Sequence, residues 1–470
     1  MKKKKVLPIV EKLEISDTGS EGQSLGRADG MVVFVKNTVP GDVVDVQLTR
    51  KKSKYAEGRA ILFHKHSNKR AEPECKHFGI CGGCKWQNMN YEFQLEYKQK
   101  QVLNALVRIG KLDIPEIQKI IPSKNIYHYR NKLEYTFSNK RWLTEEEIKT
   151  LPLDGTERNA LGFHIPGMFD KILDIEECYL QPQPSDSIRN EVKKYCLENK
   201  ISFFDIRAQA GFLRTLIIRT TSTGEVMVVV VFFTDEKQER EKLLNHLQNK
   251  FQQITSLNYV INPKKNDTIG DLEIICYKGN DSIYEEMNAL KFKIGPKSFY
   301  QTNSEQAHEL YKVVLQFADL DGHETVYDLY TGTGTIANFI SAKAKKVIGV
   351  EYVNAAIDDA KINSALNKIT NTIFFAGDMK DVLTDDFVNA SGKPDVIITD
   401  PPRAGMHEDV VKKIIQIAPT TIVYVSCNAA TQARDLYQMN EKYTITKIQP
   451  VDMFPHTAHV ENVVKLEIRK

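Results

Sequence analysis

Two short segments near the C-terminus carry side chains suited to covalent chemistry. A strand-like run from Thr421 to Val425 ends in Ser426-Cys427-Asn428, placing a thiol at the end of a buried strand. Further on, Phe454-Pro455-His456-Thr457-Ala458-His459-Val460-Glu461 puts a carboxylate after a polar, histidine-containing stretch. A thiolate can add to a flat heteroaromatic ring, and a carboxylate can later take a proton from it. Such a role for Cys427 would depend on a lowered thiol pKa. On spacing alone, a cysteine at a strand end is usually a core thiol and Glu461 reads as a surface carboxylate.

Upstream, Asp328-Leu329-Tyr330-Thr331-Gly332-Thr333-Gly334-Thr335 follows a strand and opens a helix. Glycines there permit a tight turn and close approach of backbone to a ligand. Glu351 ends the next strand, where an acidic residue can accept from ribose hydroxyls. Asp328 at the head of the loop disfavours a pyrophosphate and suits an ammonium group. A ribose, an amino acid and no phosphate together point to S-adenosylmethionine. Gly377-Asp378, after the third strand, could reach an adenine edge or be a plain turn. Asp400-Pro401-Pro402-Arg403 follows the fourth strand, and its prolines stiffen the loop that carries Asp400.

These residues need elements to hold them. From about residue 291 to 470, strands Thr325–Tyr330, Lys346–Glu351, Thr372–Ala376, Val396–Thr399, Thr421–Ser426 and Val463–Arg469 alternate with helical stretches. That alternation predicts a Rossmann-like, doubly wound parallel sheet with ligands at the carboxyl ends of its strands. Residues 66–290 read as a central α+β domain. Its elements include strands Leu133–Ser138, Leu213–Thr220, Val226–Phe233 and Glu273–Tyr277 and a helix from Glu236 to Phe251. A further helix, Phe93–Ile109, carries Leu95, Val102, Leu103, Leu106 and Val107 on one face. Residues 1–65 hold short strands, Val6–Leu13, Met31–Val35, Val43–Thr49 and Gly58–Phe63, broken by Asp29-Gly30 and Pro40-Gly41. They predict a multidomain α/β protein with a small OB-like β-barrel in front, a common nucleic-acid platform.

The net charge of +3 hides an asymmetry: residues 1–100 carry 19 Lys and Arg against 12 Asp and Glu. The runs Arg50-Lys51-Lys52-Ser53-Lys54-Tyr55 and His64-Lys65-His66-Ser67-Asn68-Lys69-Arg70 lie in this basic front end and favour a nucleic-acid partner. No apolar run approaches the ~20 residues of a membrane span, and no apolar signal core follows Met1-Lys2-Lys3-Lys4-Lys5. The chain reads as cytoplasmic, without a membrane association or an evident obligate protein partner.

Seven cysteines in such a chain suit metal or catalytic use better than disulfides. Cys75, Cys81 and Cys84 lie close together, and Cys178 follows much later. Four thiolates suit tetrahedral zinc or a [4Fe–4S] cluster. The second CxxC knuckle of a zinc ribbon is missing, and so is a radical-type CxxxCxxC motif.

With these motifs assembled, the chain resembles the RNA uracil-C5 methyltransferases over nearly its whole length. Gly26-Arg27-Ala28-Asp29-Gly30, Val33-Phe34-Val35 and Val39-Pro40-Gly41-Asp42 are similar to a TRAM barrel. Lys297-Ser298-Phe299-Tyr300-Gln301-Thr302-Asn303 resembles the family segment whose Gln contacts S-adenosylmethionine. The resemblance implies Gln301, Tyr330, Glu351 and Asp400 as cofactor contacts, Cys427 as nucleophile and Glu461 as base. Asp378 joins the cofactor set on its position. The four cysteines, with Gln87 after Cys84, resemble the subset that carries a [4Fe–4S] cluster. Tyr129-Arg130-Asn131-Lys132 resembles a family segment and offers an RNA contact. By analogy the barrel and cysteines imply 23S rRNA as substrate, with tRNA as the alternative. An RNA-binding iron–sulfur module without catalysis is the reading from another class.

Overall fold

The computed structural model describes residues 7–19, 21–152 and 154–469. The lysines of residues 1–5 and the first residue of the strand expected from Val6 lie outside the described residues. Five strands, β1 (Ile9–Thr18), β2 (Ser24–Ala28), β3 (Met31–Lys36), β4 (Val43–Lys51) and β5 (Tyr55–Lys65), close into a barrel in the order β1-β2-β3-β5-β4. Alternation along β4 turns Val44, Val46 and Leu48 inward against Leu13, Ile15, Val33 and Val35. Strand β2, too polar to stand out in the sequence, is fixed by pairing with β3 across Asp29-Gly30. Both turn residues have positive φ, 48° and 77°, as a tight hairpin with right-handed twist requires.

Seven strands form the central sheet: β6 (Lys132–Ser138), β7 (Ala160–Ile165), β8 (Met168–Asp174), β9 (Leu213–Thr220), β10 (Val226–Phe232), β11 (Ile254–Ile261) and β12 (Ile275–Gly279). Their order is β12-β11-β10-β9-β6-β7-β8. Strands β7, β8 and β11 and the helix Ser185–Glu198 were not expected from the sequence. A hairpin, β13 (Ile283–Met287) and β14 (Leu290–Ile294), follows.

The helix expected over Phe93–Ile109 runs from Tyr91 to Asn104 and ends in a π-helical turn, Ala105–Ile109. Its buried face also differs from the expected apolar one. Leu103 and Val107 are exposed, at 43% and 44%, whereas Gln94 and Lys98 are fully buried beside Val102. Polar partners in another part of the chain, described below, hold those two residues inside.

The last sheet comprises β15 (Thr325–Leu329), β16 (Lys346–Glu351), β17 (Thr372–Ala376), β18 (Val396–Thr399), β19 (Thr421–Ser426), β20 (Tyr443–Val451) and β21 (Glu461–Ile468). The order β17-β16-β15-β18-β19-β21-β20 is doubly wound, with β15 at the switch point. It is not uniformly parallel as expected, because β21 runs antiparallel between β19 and β20. The chain leaves β20 at the carboxyl edge and turns back over Asp452–Val460. Strand β21 therefore begins where its neighbour β19 ends. Among the described residues no helix is long and apolar enough to cross a membrane.

Candidate active site

Because β21 is reversed, its first residue joins the last residues of the parallel strands. The carboxyl edge of the sheet thus carries, in spatial order, Asp378 after β17, Glu351 on β16, Tyr330 after β15, Asp400 after β18, Cys427 after β19 and Glu461 on β21. Neighbouring strands lie about 4.8 Å apart, so these six residues form one row across the edge.

The β15 end of the row is a backbone device. Tyr330, Gly332 and Gly334 all have positive φ, at 63°, 55° and 74°. A side chain on Gly334 would bring its Cβ to 2.9 Å from that of Ala360, so only glycine fits there. Asp328 is buried and turned into this loop, accepting from Thr331 Oγ1 and, at 3.1 Å, from Ala337 N–H. Its Oδ1 has no partner, and burial raises its carboxyl to about 7. Glu351 accepts from Gly332 N–H at 3.2 Å and Val353 N–H at 3.0 Å, tying the glycine loop to the end of β16. Asp378 caps its own short turn, accepting from Lys380 N–H at 3.2 Å and pairing with Lys380 Nζ at 3.3 Å. Gln301 lies in the segment laid over the loop. Thr333 Oγ1 donates to Phe299 O at 3.3 Å, and Asn131 Nδ2 donates to Gln301 O at 2.8 Å. The Phe299 ring is 68% exposed beside the loop.

The other half of the row has few internal partners. Asp400 N–H donates to Leu329 O at 3.3 Å, setting Asp400 against Tyr330 at the switch point. Ser426 pairs in register with Asn462, which makes Cys427 and Glu461 the next facing pair. Asn428 caps the helix Ala429–Met439 and donates from Nδ2 to Arg403 O at 3.0 Å, fixing the Asp-Pro-Pro-Arg loop against the cysteine. Burial, then Asp400, raises the Glu461 carboxyl to about 8, with Arg403 acting the other way. Burial alone raises Asp400 to about 7. A nucleophilic Cys427 depends on a lowered thiol pKa, and its surroundings here act the other way. Burial, Glu461 and Asp400 push it up to about 11, and Arg403 offsets only part of this. Arg403 also reaches both ring nitrogens of His459, at 3.4 and 3.3 Å. Nothing in the motif Asp400-Pro401-Pro402-Arg403 itself signals this role for Arg403.

Tyr129, Arg130, Asn131 and Lys132, read as an RNA contact, have partners inside the protein. Tyr129 donates to Pro455 O at 2.9 Å, and the Arg130 guanidinium lies 5.1 Å from the Phe454 ring centre. Asn131 holds Gln301, and Lys132 pairs with Glu134.

Cys75, Cys81, Cys84 and Cys178 come together around one cavity of about 780 Å³, apart from the row. Gln87 Oε1 accepts from Cys75 N–H at 3.1 Å, and Asp186 accepts from Cys178 N–H at 3.1 Å. Burial raises all four thiols, Cys84 to about 12 and Cys178 to about 11. Among the described residues no three His, Cys, Asp or Glu close on a point that could hold a single metal ion.

A family model described as tRNA (uracil-5-)-methyltransferase matches residues 209–469, and a TRAM domain model matches residues 10–61. The chain is 57% identical over 453 residues to a Bacteroides thetaiotaomicron protein named an uncharacterized RNA methyltransferase, covering 96% of this chain and 100% of that one. A Porphyromonas gingivalis protein of the same name is 57% identical over 460 residues, covering 97% and 99%. Among solved structures, a Pyrococcus abyssi tRNA (uracil-54, C5)-methyltransferase in complex with S-adenosyl-L-homocysteine matches with a TM-score of 0.75. It is 29% identical, covering 97% of this chain and 100% of that one. The sheet edge, the barrel and these likenesses lead to one conclusion: the chain belongs to the S-adenosylmethionine-dependent RNA uracil-C5 methyltransferases with a TRAM domain.

Proposed function

We propose that this protein methylates C5 of a uridine in 23S rRNA through a covalent adduct, with Cys427 as nucleophile and Glu461 as base. The observation that carries this reading is the β19–β21 register, whose last pair, Ser426 with Asn462, sets Cys427 opposite Glu461 when carried on by one residue. Uracil C5 is a poor nucleophile until sulfur adds to C6. As the S–C6 bond forms, the C5–C6 electron pair shifts toward the C4 oxygen, giving an enolate that attacks through C5. S-adenosylmethionine, when bound, supplies the electrophilic methyl group and a positive charge. Glu461 then takes the C5 proton, the C5–C6 double bond re-forms and the S–C6 bond breaks. Asp400, between the glycine loop and Cys427, hydrogen-bonds the ring. Gln301, Tyr330, Glu351 and Asp378 are the proposed cofactor contacts. A carboxyl raised to about 8 suits a base that must hold and release a proton near neutral pH.

In this reading residues 1–65 and 66–290 hold the RNA around an unstacked target, and residues 291–470 perform the reaction. Cys75, Cys81, Cys84 and Cys178 hold a [4Fe–4S] cluster. Four thiols lining one cavity of this size leave room for a polynuclear cluster. The methyl transfer needs no electron from it. The cluster would cross-link the 75–84 loop to Cys178. Iron and acid-labile sulfide analysis of anaerobically purified protein tests this, and stoichiometric zinc instead would refute it.

The ribosomal substrate rests on family analogy, through the barrel taken together with the four cysteines. The second reading, a tRNA uridine, is favoured by the Pyrococcus tRNA enzyme, whose likeness spans the barrel as well. Nucleoside mass spectrometry with site mapping, on cells with and without the gene, separates them. Loss of 5-methyluridine from the large-subunit RNA supports the first. Loss from tRNA alone supports the second. No loss in either contradicts both.

A further inference from the structure

The turn Asp452–His456, from which the chain enters β21, is held chiefly by residues outside the catalytic sheet. Lys98 and Asp452 are both 0% exposed and lie 2.5 Å apart, and Lys98 Nζ also donates to Phe454 O at 3.0 Å. Tyr91 OH donates to the other Asp452 oxygen at 2.9 Å. Gln94 Oε1 accepts from His456 N–H at 2.9 Å, and its Nε2 donates to Trp86 O and Met89 O at 2.9 and 2.8 Å. The N–H groups of Lys85 and Trp86, directly after Cys84, donate to His456 O at 2.8 and 3.0 Å. Tyr129 OH donates to Pro455 O and Asn303 Nδ2 to Met453 O, each at 2.9 Å. The turn needs this clamp. His456 is buried with φ of 64°, a left-handed conformation uncommon for a residue other than glycine.

Glu461 follows His456 by five residues. We propose that Gln94 and Lys98 are positioning residues for Glu461: from the helix after the cysteine loop they fix the turn that delivers the base to the Cys427 adduct. This rests on the reading of Glu461 as the base. The step it governs is the last one, in which Glu461 takes the C5 proton, the C5–C6 double bond re-forms and the S–C6 bond breaks. Loosening the clamp therefore slows release of the methylated adduct more than its formation.

The test follows the SDS-stable protein–RNA adduct in single turnover for Glu461→Gln, Gln94→Leu, Tyr129→Phe and the double variant Lys98→Met/Asp452→Asn, which leaves no buried charge unpaired. S-adenosyl-L-homocysteine affinity is measured alongside. Glu461→Gln is expected to trap the adduct. Gln94→Leu and the double variant are expected to bind S-adenosyl-L-homocysteine as wild type does, form the adduct, and release it roughly tenfold to a hundredfold more slowly. If Glu461→Gln traps nothing, the base assignment fails and this inference falls with it. If Glu461→Gln traps the adduct while the clamp variants release it at the wild-type rate, or lose formation and release in proportion, the inference alone is overturned. Should the larger changes not fold, Tyr129→Phe decides. Slowed release by a few-fold with unchanged formation supports the clamp, and wild-type release refutes it.

Discussion

Glu351 and Glu461 both reach the carboxyl edge of the same sheet, four strands apart, and meet different surroundings. Glu351 accepts two backbone N–H bonds and sits at the rim of a glycine loop. Glu461 is 6% exposed, faces a thiol and a second carboxyl, and rises to about 8. A carboxylate satisfied by N–H groups is fixed in place and can orient a neutral polyol. A carboxyl buried beside another acid is poised to exchange a proton. The edge thus divides into a binding half and a reacting half. What divides them is the reversal of β21, which brings in a residue that a uniformly parallel sheet would have placed at the far end.

The sharpest way to break this division is to alter the reacting half. Cys427→Ala is expected to cut turnover by about 10⁴-fold or more while S-adenosyl-L-homocysteine binding, followed by calorimetry, stays unchanged. Loss of binding as well would place the cysteine in the binding half. Next in size, Glu461→Gln is expected to lower turnover by roughly 10²–10⁴-fold and to accumulate adduct. The same variant has a stability signature. Burial favours the neutral acid, so in wild-type protein without cofactor this contribution is present below the unfolded pKa and lost as pH rises through about 8. Glu461→Gln stays neutral and is expected to melt higher than wild type above about pH 8, by about 1–3 kcal/mol, with the gain vanishing near pH 4. A melting difference independent of pH would contradict the burial argument.

Smaller effects test the boundary between the halves. Arg403 lowers both Cys427 and Glu461, so Arg403→Gln raises both. The rising limb of the kcat/KM–pH profile is expected to move to higher pH, with a loss of roughly tenfold at neutral pH. An unmoved limb would remove Arg403 from the electrostatics of the pair. In the binding half, Gly334→Ala is expected to cost about 1–3 kcal/mol of stability, read from denaturant melts, and to weaken S-adenosyl-L-homocysteine binding, because φ is 74° and Ala360 is in the way. Asp378→Ala is the mildest, a few-fold loss of affinity at most, since its side chain already serves its own turn.

Much of the reacting half was legible because each residue ends a strand whose apolar run is short and clear, as Thr421–Ser426 before Cys427 shows. The strand that decides the geometry was harder to read. Strand β20, Tyr443–Val451, mixes Thr444, Lys447 and Gln449 with its apolar residues and does not stand out in the sequence, so the reversal of β21 is not legible there. Polar residues misled where their partners are remote in sequence. Gln94 and Lys98 break an apolar helical face because Asp452 and His456 lie far along the chain. Tyr129 and Arg130, offered as an RNA contact by resemblance, also touch Pro455 and Phe454, which lie equally far along the chain. The upward push on the Cys427 thiol comes from burial first and then from Glu461 and Asp400, none of which can be read from the motif Ser-Cys-Asn. The gathering of Cys178 with Cys75, Cys81 and Cys84 was anticipated through family resemblance, since nothing local ties it to them.

The central claim, a covalent Cys427–uracil adduct resolved by proton removal at C5, is tested most directly with RNA in which the target uridine carries fluorine at C5. Fluorine cannot leave as a proton, so the methylated adduct should persist. Mass spectrometry of the digested complex is expected to show Cys427 joined to a methylated 5-fluorouridine, dependent on S-adenosylmethionine and absent in Cys427→Ala. A protein that methylates ordinary RNA yet forms no adduct with the fluorinated one, or forms it equally well without Cys427, would contradict the account.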